Sequence, residues 1–97
     1  MRRDEALRII GEHAAELRAQ HAVKTLSIFG SVARDEAREG SDVDVLVEFS
    51  KPVGLFKFGH LQIYLEQIFG TRVDLATPAA IRDFMRDEVF REAIRAA

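Results

Sequence analysis

The chain contains no cysteine. That excludes a disulfide framework and a zinc–thiolate site. It also lacks a surplus of either charge: 14 Lys and Arg stand against 16 Asp and Glu, a net charge of −2. A general nucleic-acid binder normally carries a basic surplus, so no direct nucleic-acid partner is expected. No apolar run approaches the roughly 20 residues that a bilayer crossing needs. The start, Met1-Arg2-Arg3-Asp4-Glu5, does not lead into the apolar core of a signal peptide. The expectation is a soluble, cytoplasmic protein with no membrane partner. There is no internal repeat and no low-complexity tract.

What is there is enough for one small domain. Ninety-seven residues, 47% of them apolar, can fill one core but not two, so residues 1–97 read as a single domain. Residues 4 to 21 read as one amphipathic helix, with Leu7, Ile10, Ala14, Leu17 and His21 at helical spacing. Val23 to Phe29 is a first strand ended by Gly30, and Ser31 to Ala37 suits a short helix. After a loop around Gly40, Asp42 to Phe49 is the second strand. Ser50 to Gly54 is a turn, and residues 55 to 69 form a helix with Phe58, Leu61, Leu65 and Ile68 on one face. Gly70 is a natural C-terminal stop. Arg72 to Ala76 is a third strand. Thr77-Pro78 then opens a helix, Thr as cap and Pro at the first position, that runs to the C-terminus with a break near Arg86. The alternating charges from Arg82 to Arg95 read as a solvated helix face. The fold class is α/β or α+β: a small mixed sheet of three or more strands flanked by helices.

The chemistry concentrates in two stretches, Gly30-Ser31 and Ser41-Asp42-Val43-Asp44. Alternate residues of a strand share a face. Asp42, Asp44, Leu46 and Glu48 therefore lie on one face, and Val43, Val45, Val47 and Phe49 form the buried one. Adjacent carboxylates repel, and a hard divalent cation such as Mg²⁺ removes that conflict. Asp74 is the third candidate ligand: if its strand pairs beside the second in matching orientation, it joins the same surface. Three carboxylates converging there can hold two Mg²⁺ ions, about 3.5–4 Å apart in phosphoryl-transfer sites. Asp74 is also the candidate general base. Gly30 and Ser31 supply a phosphate cradle: glycine lets the backbone approach closely, and the serine hydroxyl can add a bond. Arg34, one turn on, can pair with a phosphate oxygen or brace the Asp42/Asp44 loop. Ser41 flanks the acidic pair and joins the nucleotide-binding candidates. His13, His21 and His60 share no ligand-like spacing, Tyr64 and Phe58 read as core, and Phe56 and Lys57 could flank a base.

Gly30-Ser31, ten intervening residues, Asp42-Val43-Asp44 and the later Asp74 in Arg72-Val-Asp-Leu75 resemble the signature of the nucleotidyltransferases of the DNA polymerase β superfamily, in order and spacing. The size resembles the minimal nucleotidyltransferases, which lack a substrate domain. The resemblance implies an antitoxin that transfers AMP from ATP, with Mg²⁺, to a tyrosine of a partner HEPN-domain toxin. It further implies that Gly30 and Ser31 hold the triphosphate, and that Asp42, Asp44 and Asp74 hold the metal and act in catalysis. Two positions depart from the family's pattern: Val32 stands where many relatives carry a basic residue, and Asp35 where a small one is frequent. Two other readings stand beside this one: a non-catalytic antitoxin that neutralises by binding, and a small-molecule transferase of the aminoglycoside-modifying type. The latter needs a second subunit or domain, which leaves a homo- or hetero-oligomer open.

Overall fold

A computed structural model describes residues 1–81 and 83–97. The elements follow in the order α1 (Arg3–Glu12), α2 (Ala14–His21), β1 (Val23–Phe29), α3 (Gly30–Ala33), β2 (Val43–Phe49), α4 (Leu55–Phe69), β3 (Val73–Ala76), a 3₁₀ turn (Pro78–Ala80), α5 (Asp83–Glu92) and β4 (Ile94–Arg95). The strands form one mixed sheet in the order β3-β2-β1-β4. β1 runs antiparallel to both β2 and β4, whereas β2 and β3 are parallel. The parallel pair is made possible by α4, whose length carries the chain back to the starting edge.

Strand alternation sorts the sheet into two faces. Ile28 pairs with Val45 and Leu26 with Val47, while Val43 faces Val73 and Val45 faces Leu75. All of these are buried, and Ala6, Ile10, Leu17, Leu61, Leu65 and Phe69 from α1, α2 and α4 close over them. Burial of each large side chain there contributes about 1.5–3 kcal/mol. The opposite face carries the rows Ser27–Leu46–Ala76 and Phe29–Asp44–Asp74. Helices thus cover one face and leave the acidic row on the other.

Several expectations need correction. Residues 4 to 21 form two helices, broken at His13, whose backbone leaves the helical region (φ −110°, ψ 9°). Its ring nitrogen Nδ1 bonds the Ile9 carbonyl at 2.8 Å. The helix expected over 31–37 ends at Ala33, and Asp35 takes a positive φ of 59°. The C-terminal helix breaks earlier than Arg86: after the 3₁₀ turn, Ile81 is extended (φ −80°, ψ 129°), and Thr77 makes no side-chain cap bond. Arg82 lies outside the described residues. Ala93 and Ile94 leave the helix, and β4 adds a fourth strand that periodicity hid, because two residues are too short to show alternation. α4 and its stop at Gly70 (φ +71°) stand where expected. Among the described residues, no helix is long and apolar enough to cross a membrane.

Candidate active site

The site is built where β1 ends and β2 begins. Asp44 sits between Phe29 of β1 and Asp74 of β3 in one row. The parallel β2–β3 pairing therefore brings Asp44 and Asp74 to the same face, the orientation on which the sequence reading was conditional. Asp42 precedes β2 by one residue and shares that side by alternation.

Gly30 follows Phe29 and explains how Asp44 fits. Its φ is +69°, a region that disfavours any side chain, and a β-carbon there would collide with Oδ2 of Asp44. The missing side chain is therefore the space that the Asp44 carboxylate occupies. Without Cβ, the backbone and the carboxylate come together at one point.

The electrostatics of Asp44 follow from this position. Burial, then the neighbouring carboxylates of Asp74 and Asp42, push its pKa up to about 6, opposed by Arg34. Asp42 instead meets Arg72, Nε to Oδ1, at 3.4 Å. Among the described residues no three His, Cys, Asp or Glu side chains gather closely enough to ligate one ion as they stand. The three acids are thus placed on one face but not closed onto one point. Asp42 is paired with the exposed Arg72 instead. The donor set suits a hard divalent cation: carboxylate oxygens, one of them crowded by its acidic neighbours so that a cation beside it would be favoured.

The remaining candidates have definite partners. Arg34 donates through Nη1 to Oε2 of Glu92 at 2.8 Å and through Nε to Oε2 of Glu36 at 3.3 Å, and these bonds raise its pKa. The Gly30 N–H donates to the other oxygen of Glu92 at 2.9 Å. Ser31 makes no helix cap; the capping position belongs to Phe29. Ser41 closes the loop before β2: its Oγ accepts the Arg38 N–H at 3.1 Å, and its own N–H donates to the Arg38 carbonyl at 3.0 Å. Asp35 accepts the Arg3 N–H at 3.0 Å, which lowers its pKa. Lys57 does not reach the site: its Nζ donates to the Gln20 carbonyl at 2.9 Å, beside the strand ends remote from Asp44. Phe56, its neighbour on α4, is exposed there. Sequence reasoning missed Glu92 and Arg72. Arg72 has a local signal, since it flanks Asp74. Glu92 has none, because only the packing of α5 against α3 brings it to Gly30.

An acidic row on a mixed sheet is set against a glycine-serine turn. The chain belongs to the nucleotidyltransferase domain family, which matches residues 10–96. It is a nucleotidyltransferase. A protein adenylyltransferase named MntA, from Thermococcus cleftensis, is 40% identical over 91 residues, covering 94% of this chain and 92% of that protein. A solved structure of a candidate minimal nucleotidyltransferase superposes with a TM-score of 0.79 at 40% identity, over 97% of this chain and 95% of its own. A toxin–antitoxin crystal structure with AMP-PNP superposes with a TM-score of 0.72 at 16% identity, over 90% of this chain and 72% of its own, and shares the fold.

Proposed function

We propose that the protein is a Mg²⁺-dependent protein adenylyltransferase that moves AMP from ATP to a tyrosine of a HEPN-domain toxin and so acts as its antitoxin in the cytoplasm. The observation that carries this reading is the row of Asp44 and Asp74 at the Gly30 turn, with Asp42 near enough for its charge to act on Asp44. Near-full-length similarity to a protein adenylyltransferase supports the type of acceptor. Fold neighbours that are toxin–antitoxin pairs support the partner.

In this reading Asp42, Asp44 and Asp74 hold the cation. Bound there, it supplies neutralisation of phosphate charge and a lowered pKa for the attacking hydroxyl. The Gly30 N–H, Ser31 and Arg34 orient the triphosphate, and Ser41 shapes the loop that presents Asp42. The acceptor oxygen forms a bond to the α-phosphorus as the bond to the β-phosphate oxygen breaks. Pyrophosphate leaves, and Asp74 is placed to take the hydroxyl proton. The chain's one tyrosine, Tyr64, stands away from its own acidic row. It lies on α4, on the helical side of the sheet, where its hydroxyl donates to Glu16 at 3.0 Å and its pKa is pushed up to about 12 by burial and that bond. The acceptor hydroxyl comes from another molecule.

Intact-mass analysis of the purified toxin after incubation with this protein, ATP and Mg²⁺ tests the reading. A gain of one AMP is expected, absent with Asp42→Asn. No gain at saturating ATP, with neutralisation retained in Asp42→Ala/Asp44→Ala, would leave binding alone as the antitoxin mechanism.

A further inference from the structure

The last residue of α5 reaches into the phosphate cradle. Glu92 takes the Gly30 N–H on Oε1 at 2.9 Å and the Arg34 guanidinium on Oε2 at 2.8 Å. A carboxylate and an edge of a phosphate present the same pair of oxygens to such donors, and both make charge-assisted bonds to them. The donors it occupies are the backbone amide that has no side chain to shield it and the cation whose charge acts on Asp44.

Two observations argue against a purely structural tether. α5 has other anchors: Val89 is buried at 4% exposure, and beyond Glu92 the chain is pinned to β1 through β4 and the Ala96 and Ala97 N–H bonds to the Leu26 carbonyl. The contact also places a further negative charge beside Asp44, where it adds to the repulsion from Asp42 and Asp74. A tether chosen only for stability would avoid that neighbourhood.

We propose that Glu92 is an internal stand-in for a phosphate, holding the Gly30 and Arg34 donors in the nucleotide-free protein so that a nucleoside triphosphate binds only as this carboxylate leaves. The Glu92 side chain is 20% exposed, so a rotation about its own bonds opens the seat without unfolding α5. Nucleotide affinity is then lowered by the fraction of molecules in which Glu92 is seated. A divalent cation held by Asp42, Asp44 and Asp74 would favour the exchange by relieving the crowding of carboxylates around Asp44. This inference rests on the proposed reading of Gly30 and Arg34 as phosphate-holding groups.

The test is equilibrium binding of a non-hydrolysable ATP analogue with Mg²⁺ to wild type, Glu92→Gln and Glu88→Gln. Glu88 is exposed one turn back on α5, so its variant removes the same charge without the contact. Glu92→Gln is expected to bind about tenfold more tightly, the size of a lost charge-assisted competitor, and Glu88→Gln within about twofold of wild type by surface screening. Equal or weaker binding by a folded Glu92→Gln overturns the inference and makes Glu92 a brace for Arg34. Equal tightening in both variants also overturns it, since bulk charge then suffices. Absence of binding in all three overturns the proposed reading of Gly30 and Arg34 as ATP-holding groups. Should Glu92→Gln fold poorly, NMR on the wild type decides: the Gly30 amide and the Glu92 side chain shift together on titration if the proposal holds. A Gly30 shift with Glu92 unmoved refutes it.

Discussion

At position 30 a methyl group has nowhere to go, and the reason is a side chain fourteen positions later in the sequence: the Asp44 carboxylate fills that space. The same residue is the most strongly perturbed acid of the site. Its folded pKa of about 6 lies above its ordinary value of 3.8. A raised pKa means that the folded protein holds the proton more tightly, so this contribution to stability is complete below about pH 4 and is lost as pH rises through about 6. In metal-free buffer, Asp44→Asn should therefore stabilise the fold at pH 8 by about 1 kcal/mol, after allowance for solvent screening of a half-exposed group. The gain should vanish near pH 4. Urea unfolding of both proteins at the two pH values measures the difference. Added Mg²⁺ should reverse the sign at pH 8, because the ion stabilises only the protein that keeps its carboxylate.

The elements divide labour between stability and chemistry. α4 supplies Leu61 and Leu65, both fully buried, and the connection that makes β2 and β3 parallel. Leu65→Ala should cost about 3 kcal/mol through lost burial and a residual cavity, read from a lower urea midpoint. Nucleotide affinity measured well below that midpoint should stay unchanged, since α4 lies on the face opposite the acids. Periodicity located this helix because its apolar spacing is long and its stop is a glycine. The same logic joined α1 to α2 in error, since the apolar spacing continues through the break at His13. It also ran α5 to the end of the chain. Whether Ile94 continues a helix or pairs with Ile28 depends on an exposed edge of β1 that no local pattern reveals.

For the whole molecule, the prediction concerns linkage. A ligand that binds only the folded state stabilises it by an amount that grows with the logarithm of its concentration relative to its dissociation constant. ATP with Mg²⁺ at a hundred times its dissociation constant should raise the unfolding free energy by about 2.7 kcal/mol, seen as a higher denaturation midpoint. ATP with a chelator should give much less, and Asp42→Asn/Asp44→Asn should abolish the gain from Mg²⁺. An equal gain with and without the metal would refute the role given to the acids.

The sequence by itself determined the two faces of β2, the place of Gly30 at the end of β1, and which acids of the same stretch stand on the same face as Asp44. These depend on alternation along one strand and on the chemistry of single residue types, both local properties. Only the tertiary structure decided that Asp74 lies in register with Asp44, because the match requires β3 to run parallel to β2. It alone decided that Glu92 meets the Gly30 amide and Arg34, since that contact joins residues 62 positions apart and depends on how α5 packs.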